Sequence, residues 1–436
     1  VAALFEVVSL VLVFALMVYL IRRRVDVSYA LVAGAVALGL LFGVEWARFP
    51  RGLGPSLARV ARELGRAAVA RETLELMGLV LLIQFLGHAL KHAAHLDRLM
   101  AALKALLRDR RAAMAAAPAF VGLLPMPGGA LFSAPMVEEL TGDLGLAPED
   151  RTLVNYWFRH VWEWTWPLYP GILFASAILG TPLGTTILAA SPFTLGAIAI
   201  GVAFLLRRVR VPARDRVAAP AGNWRELFAA AWPVVATVAG TAGLAVARFL
   251  KLPVGLPTQT ALLVALLVVN PLFLALNRVP WPAVRGLVRA TFQVPMVVLV
   301  YGVLAFGHLL EAYGAAADLP RIFAQWGVPP LVLLFAVPLV VGLLTGYMPA
   351  AVGICFPVLV PLIVEGATVR YGRMTFAYAG GLFGVLLSPV HLCLVLSREY
   401  FKADFGRVYR RLLPLVGWLA LVAAGTLVLW ELVGLR

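Results

Sequence analysis

The sequence predicts an all-α polytopic membrane protein, built as an inverted-topology repeat with about ten transmembrane helices and two re-entrant hairpins. Three observations carry that expectation. First, 62% of the 436 residues are hydrophobic and the mean hydropathy is +0.92. Soluble domains are roughly 45–50% apolar, and several apolar runs here reach the about 20 residues needed to cross a bilayer. Second, two apolar stretches, 121–135 and 341–357, are interrupted by proline and glycine. Both open with Val-Gly-Leu-Leu, and both hold Met-Pro with a further proline eight residues on (Pro127 to Pro135, Pro349 to Pro357). Prolines lack the donor a helix needs, glycines relax it, and a broken segment survives in lipid only where it is buried or lines a cavity. Third, the halves align at a shift of 220 to 222: Gly87-His88 with Gly307-His308, Val121 with Val341, Pro127 with Pro349, Ser133 with Cys355, Tyr156 with Tyr378 and Pro167 with Pro389. Matched interruptions in two halves are the sequence signature of a transporter's binding site.

The elements follow in chain order. Spans are expected at 4–21 and 28–44, then an interfacial segment at 49–74, where five arginines from Arg51 to Arg71 interleave with apolar residues at helical spacing. A span at 76–91 and a basic arm at 96–111 lead into the first hairpin, 112–144, its tip near Gly128. An aromatic-rich segment at 152–179 is broken at Pro167 and Pro170, and 192–206 closes the half before a charged linker, 207–221. The second half repeats the plan: spans at 224–246 and 258–276, an interfacial piece at 280–292, a span at 294–310, an arm at 315–326, a hairpin at 329–364, and spans at 376–396 and 413–433. Repeat one is therefore 1–213, with a scaffold part at 1–111 and a transport part at 112–206. Repeat two is 214–436, with a scaffold part at 222–328 and a transport part at 329–436.

The net charge of +15 sits at the ends of apolar runs, where arginines hold topology and meet lipid headgroups, so the lipid bilayer and not nucleic acid is the expected partner. With the N-terminus outside, the cytoplasmic segments carry 22 Lys and Arg and the external ones 11, the bias that cytoplasmic loops favour. Five crossings in each half reverse the second half and bring the C-terminus outside as well. The first apolar run has no basic region ahead of it and is followed by Arg22-Arg23-Arg24, the pattern of a first span and not of a signal peptide. Cys355 and Cys393 both fall in apolar segments, which argues against a disulfide framework.

Two stretches carry a family resemblance: Met126-Pro-Gly-Gly-Ala-Leu-Phe-Ser-Ala-Pro-Met136, and Asn155-Tyr-Trp-Phe-Arg-His-Val-Trp-Glu163 continuing to Trp166-Pro-Leu-Tyr-Pro170. Over essentially the whole chain the sequence resembles an uncharacterised bacterial and archaeal membrane family of unknown function, grouped with divalent-anion, citrate and gluconate carriers in the ion-transporter superfamily. The resemblance implies two hairpins meeting tip to tip, a scaffold that forms a homodimer, a transport part that slides as an elevator, and a place in the cytoplasmic (inner) membrane. In the divalent-anion branch the tips carry Ser-Asn-Thr and bind sodium and a carboxylate. Here Gly128-Gly129 and Ala350-Ala351 stand instead.

Tips without polar side chains still offer backbone N–H and C=O groups to a solute. The expected substrate and ion site is thus Pro127, Gly128, Gly129 and Ser133 with Pro349, Ala350, Ala351, Gly353 and Cys355. Trp166, Pro167, Tyr169, Ser388, Pro389 and His391 join it from the helix breaks. Arg159, His160 and Glu163 share one helix face. They read either as a proton-coupling group or as a structural ion pair, and repeat two replaces them with Gly381, Leu382 and Val385. Trp157, Trp162, Trp164 and Trp166 read as an interfacial belt or as a substrate wall. His88, His92 and His95 share a face but read as packing residues, so no metal centre is expected and no cofactor beyond H⁺ or Na⁺ as coupling ion.

No phosphate-cradling loop or nucleophile elbow is present. The expected activity is secondary transport of a small organic anion, coupled to protons first or sodium second, and not an enzymatic one. The other reading is a membrane enzyme using Arg159, His160 and Glu163 on a lipid-like substrate.

Overall fold

A computed structural model describes residues 2–44, 53–107, 109–125, 128–211 and 224–435. Pro127, the start of the interfacial segment at 49–52 and most of the linker, 212–221, lie outside the described residues.

The chain folds almost wholly into helices. α1 (Ala2–Arg22) and α2 (Val27–Gly43) are followed by the arginine-rich α3 (Leu53–Val69), α4 (Arg71–His92) and the arm α5 (His95–Leu106). The first hairpin is α6 (Arg110–Gly122) and α7 (Ala130–Thr141), and the aromatic-rich segment splits into α8 (Pro148–Arg159) and α9 (Pro170–Ile178). α10 (Leu183–Ile200) ends in a π-helical turn, Gly201–Leu206, where Gly201 packs against Trp157 and Phe158. The same order returns as α11 (Trp224–Phe249), α12 (Thr258–Leu276), α13 (Trp281–Thr291), α14 (Val294–Tyr313) and α15 (Leu319–Gln325). α16 (Pro330–Thr345) and α17 (Met348–Ile363) form the second hairpin, then α18 (Tyr371–Leu386), α19 (Leu392–Phe401) and α20 (Phe405–Val433). The only strands among the described residues are a two-residue pair, Val364–Glu365 with Thr368–Val369.

Seven of the described helices are long and apolar enough to cross a bilayer, and α15 with α16, bent by 112°, forms an eighth candidate. The chain is a multi-pass membrane protein. α2 is apolar but only 17 residues long, and the pairs α8–α9 and α18–α19 are each interrupted, so length alone does not count them.

Packing sorts these helices into two groups. α1–α5 pack with α11–α15, chiefly α2 on α14, α4 on α12 and α5 on α11. α6–α10 pack with α16–α20, where α17 meets α9 and α7 meets α19. Few contacts cross between the groups. A cavity of about 520 Å³ opens on the seam between α3, α4, α14, α9 and α17, and an apolar one of about 270 Å³ lies between α4, α5, α11 and α6.

Glycine lets two of these packings come backbone to backbone. A Cβ on Gly122 of α6 would collide with the Arg159 carbonyl of α8, and one on Gly342 of α16 with the Gly381 carbonyl of α18. At the base of the first hairpin Arg110 donates to the Leu140 carbonyl and pairs with Asp143. That hydrogen bond holds the Asp143 carboxyl below its usual range.

Candidate functional site

The two hairpins are broken differently. Among the described residues the first has no helix at Leu123–Pro125 or at Gly128-Gly129, whereas the second is open only at Gly346-Tyr347. Pro349, Ala350 and Ala351 already lie in the first turn of α17, where a missing N–H is no loss. The sequence places the second tip at those three residues; the structure places the break one step earlier, at Gly346 with φ +62°.

Each helix break is fastened to the other by a matched tyrosine. Tyr156 in α8 donates to the Leu386 carbonyl at the end of α18 (2.9 Å), and Tyr378 in α18 donates to the Glu163 carbonyl beyond α8 (2.8 Å). Each break is also fastened to its own hairpin. Tyr169 donates to the Gly122 carbonyl (2.6 Å), Trp166 to Leu123 (2.8 Å) and Trp162 to Ala119 (3.0 Å), while His391 Nδ1 contacts the Gly346 carbonyl at 2.6 Å and Ser388 donates to Leu343 (2.7 Å). The tryptophans therefore brace the break through their N–H groups. Trp164 is buried and stacked on Phe193.

The hairpin breaks and the helix breaks converge on one buried polar cluster. His160 and His391 approach through their Nε2 atoms at 2.9 Å, and a nitrogen of each lies within 4.8 Å of Cys393 Sγ. Arg159 Nε donates to that sulfur (3.4 Å), and Gly129 lies so close to the Arg159 guanidinium that a Cβ would overlap it. Glu163 Oε1 is 3.9 Å from His160 Nε2, and its Oε2 is buried with no hydrogen-bond partner. The tautomers follow from the acceptors. His160 Nδ1 faces the Tyr156 carbonyl (2.5 Å) and His391 Nδ1 the Gly346 carbonyl. A carbonyl only accepts, so both Nδ1 atoms carry hydrogen. In two neutral rings, the Nε2 lone pairs then point at each other. Such a contact is stable only with a positive charge between the nitrogens, a shared proton or a bound cation.

Beside this cluster, Asn155 donates to the Ala130 carbonyl (3.0 Å) and to Ser397 (2.8 Å) and accepts from Ser133 (2.5 Å). Ser133 is thus committed to a hub joining α7, α8 and α19. Gly128, with φ +71°, meets Leu396, Ala351 meets Gly381, and Pro167 is buried while Pro389 is exposed. Gly353 faces Val303 of α14 across the seam, and Cys355 is buried further along α17. His95, from the histidine face of α4 and α5, packs on Phe273 and bonds to the Ala230 carbonyl and Asn277.

Sequence reasoning joins Arg159, His160 and Glu163 on one helix face, leaves His391 apart and misses Cys393 and Asn155; α8 in fact ends at Arg159, so His160 and Glu163 lie in the turn beyond it. The available signals were Cys393 standing two residues after His391, and Tyr156 and Tyr378 matching in the alignment. The cluster is built once: its first-half members are Gly381, Leu382 and Val385 in the second half, and His391 and Cys393 match Tyr169 and Gly171.

Among comparisons with known proteins, residues 6–429 match the family model described as protein of unknown function (DUF401). No curated protein matches the chain.

Proposed function

The chain belongs to the DUF401 family of proteins of unknown function, and for it we propose secondary active transport of a small organic anion, coupled to protons, by an elevator motion. Sodium is the alternative coupling ion. The observation that carries this reading is the meeting of both hairpin breaks and both helix breaks at His160 and His391. Interrupted helices facing each other across a buried junction are how carriers present backbone dipoles to a solute. Arg159 supplies a positive charge at the tip of the first hairpin, and the histidine pair supplies a place for a proton within the same cluster.

The matched helix order and the exchanged pairings, α7 with α19 and α17 with α9, support two inverted repeats of five crossings, each with a re-entrant hairpin. The sorting of helices into two groups supports a scaffold, α1–α5 with α11–α15, and a moving part made of the rest. On this reading the scaffold forms the homodimer, both termini lie outside, and the membrane is the cytoplasmic one of a bacterium or archaeon.

The test is uptake by proteoliposomes of the full-length chain under an imposed pH gradient, across a panel of small carboxylates and inorganic anions. The expected outcome is accumulation of at least one anion that a protonophore collapses, with gradient dependence lost in His160→Gln and His391→Gln. Conversion of a lipid-like substrate by the same protein in detergent, with no gradient and no uptake, would sink the transport reading and leave a membrane enzyme.

A further inference from the structure

The same cluster has the donor set of a transition-metal site, an inference that stands whether or not the chain moves an anion. We propose that His160, His391 and Cys393, completed by Glu163, bind a divalent cation of the zinc class at the junction of the two halves.

Four features of the cluster point there. A nitrogen of each histidine and the Cys393 sulfur lie within 4.8 Å of one another, and all three residues are buried. Two imidazoles and a thiolate are the ligands of zinc, cobalt and copper, not of sodium, magnesium or calcium, which take oxygen. Each histidine already makes the outer contact of a metal ligand, its Nδ1–H given to a backbone carbonyl of Tyr156 or Gly346, which aims the Nε2 lone pair inward. The fourth position has a candidate at hand. Glu163 lies 3.9 Å from His160 Nε2 and has a buried oxygen with no hydrogen-bond partner.

The charges also suit a divalent ion. A thiolate at Cys393 and a carboxylate at Glu163 outweigh the guanidinium of Arg159, which donates to the sulfur from the side. Bonds of about 2.0–2.1 Å to two nitrogens at a tetrahedral angle separate them by roughly 3.3 Å, so the 2.9 Å pair opens by a few tenths of an ångström on binding. Both histidines sit at or beyond the end of a helix, in the breaks 160–169 and 387–391, where the backbone has room to yield. Pro389, Val390 and Leu392 are exposed, so His391 and Cys393 are one residue from the surface, which gives the ion an approach.

Co²⁺ is the probe, added to the metal-stripped, full-length protein in detergent. The expected result is one Co²⁺ per chain, with the near-ultraviolet band of a thiolate-bound ion and the visible bands of four-coordination, all bleached by one equivalent of Zn²⁺. Cys393→Ser removes the thiolate band and Cys355→Ser keeps it. Should Cys393→Ser not elute as folded protein, Glu163→Gln takes its place. It is expected to weaken Co²⁺ binding at least by the about 10–100-fold typical of losing even an outer partner. Absence of saturable binding by the unmodified chain, a thiolate band surviving Cys393→Ser, or unchanged affinity in Glu163→Gln overturns the site. Binding by a chain that moves no solute supports the site and counts against transport; uptake without binding does the reverse.

Discussion

Asn155 is wholly buried, yet its amide is matched by Ala130, Ser133 and Ser397, so one side chain holds three helices in register. Replacing it with leucine keeps the volume and strands three polar groups. Each is expected to cost about 1–3 kcal/mol, read as a large fall in the unfolding temperature of Asn155→Leu in detergent. Gly342 acts by what it lacks. Gly342→Ala drives a methyl into the Gly381 carbonyl and is expected to lose about 1–3 kcal/mol by overpacking, while Gly417→Ala, which meets open space, is expected to leave stability unchanged or slightly raised. These residues show where sequence reading stops. Asn155 stands in a stretch whose resemblance was plain, but Ser397 is 242 residues away. Cys393 reads as an ordinary apolar-segment cysteine until the fold brings Arg159 to it from 234 residues away. Spacing rules reach only a few helical turns, and these partners meet across halves.

At the scale of elements, the interruptions were legible because proline and glycine act locally. The interruptions of the hairpins and of the aromatic-rich segment follow from residues that disfavour continuous helix, though α8 already ends at Arg159, ahead of Pro167. The exact second break was not legible, since Pro349 looks like a breaker but is tolerated in a first turn. Gly346 is the residue that opens the chain there. Gly346→Ala must hold a left-handed backbone with its Cβ 3.0 Å from the His391 backbone. It is expected to lower stability by about 1–2 kcal/mol and to disturb His391, checked by unfolding and by Co²⁺ affinity in parallel. The tyrosine pair tests the equivalence of the two breaks. Tyr156→Phe and Tyr378→Phe each remove one hydrogen bond to a break carbonyl, and similar losses of about 0.5–1.5 kcal/mol are expected. A loss confined to one of them would show that the breaks are not held alike.

For the whole molecule, hydropathy and basic residues settle a multi-pass membrane protein from sequence alone, while the sorting of helices into two groups emerges only from packing. Orientation has a direct test. The turns after α1 and α11, at Arg24 and Lys251, follow the first helix of each half in chain order. An inverted repeat puts them on opposite sides of the membrane. Arg24→Cys and Lys251→Cys, made separately, are expected to react with an impermeant thiol reagent from opposite faces of sealed vesicles. Labelling from the same face refutes the inversion; the native cysteines are buried and contribute little background.

The seam between the two groups has a mechanical meaning. Its contacts include hydrocarbon ones, such as Gly353 on Val303 and Gly307 near Pro357, and polar ones: Gln259 donates to Ser176, Lys91 lies over the Phe132 ring, and Glu72, His308 and Glu311 line the cavity there. Arg159, Glu163, His160 and His391 find their hydrogen-bond and ring partners within their own group of helices. Were the proposed sliding to occur, friction along this plane would be set by side-chain shape and void space, and the ionisable groups lining its cavity, Glu72, His308 and Glu311, would change surroundings with each stroke.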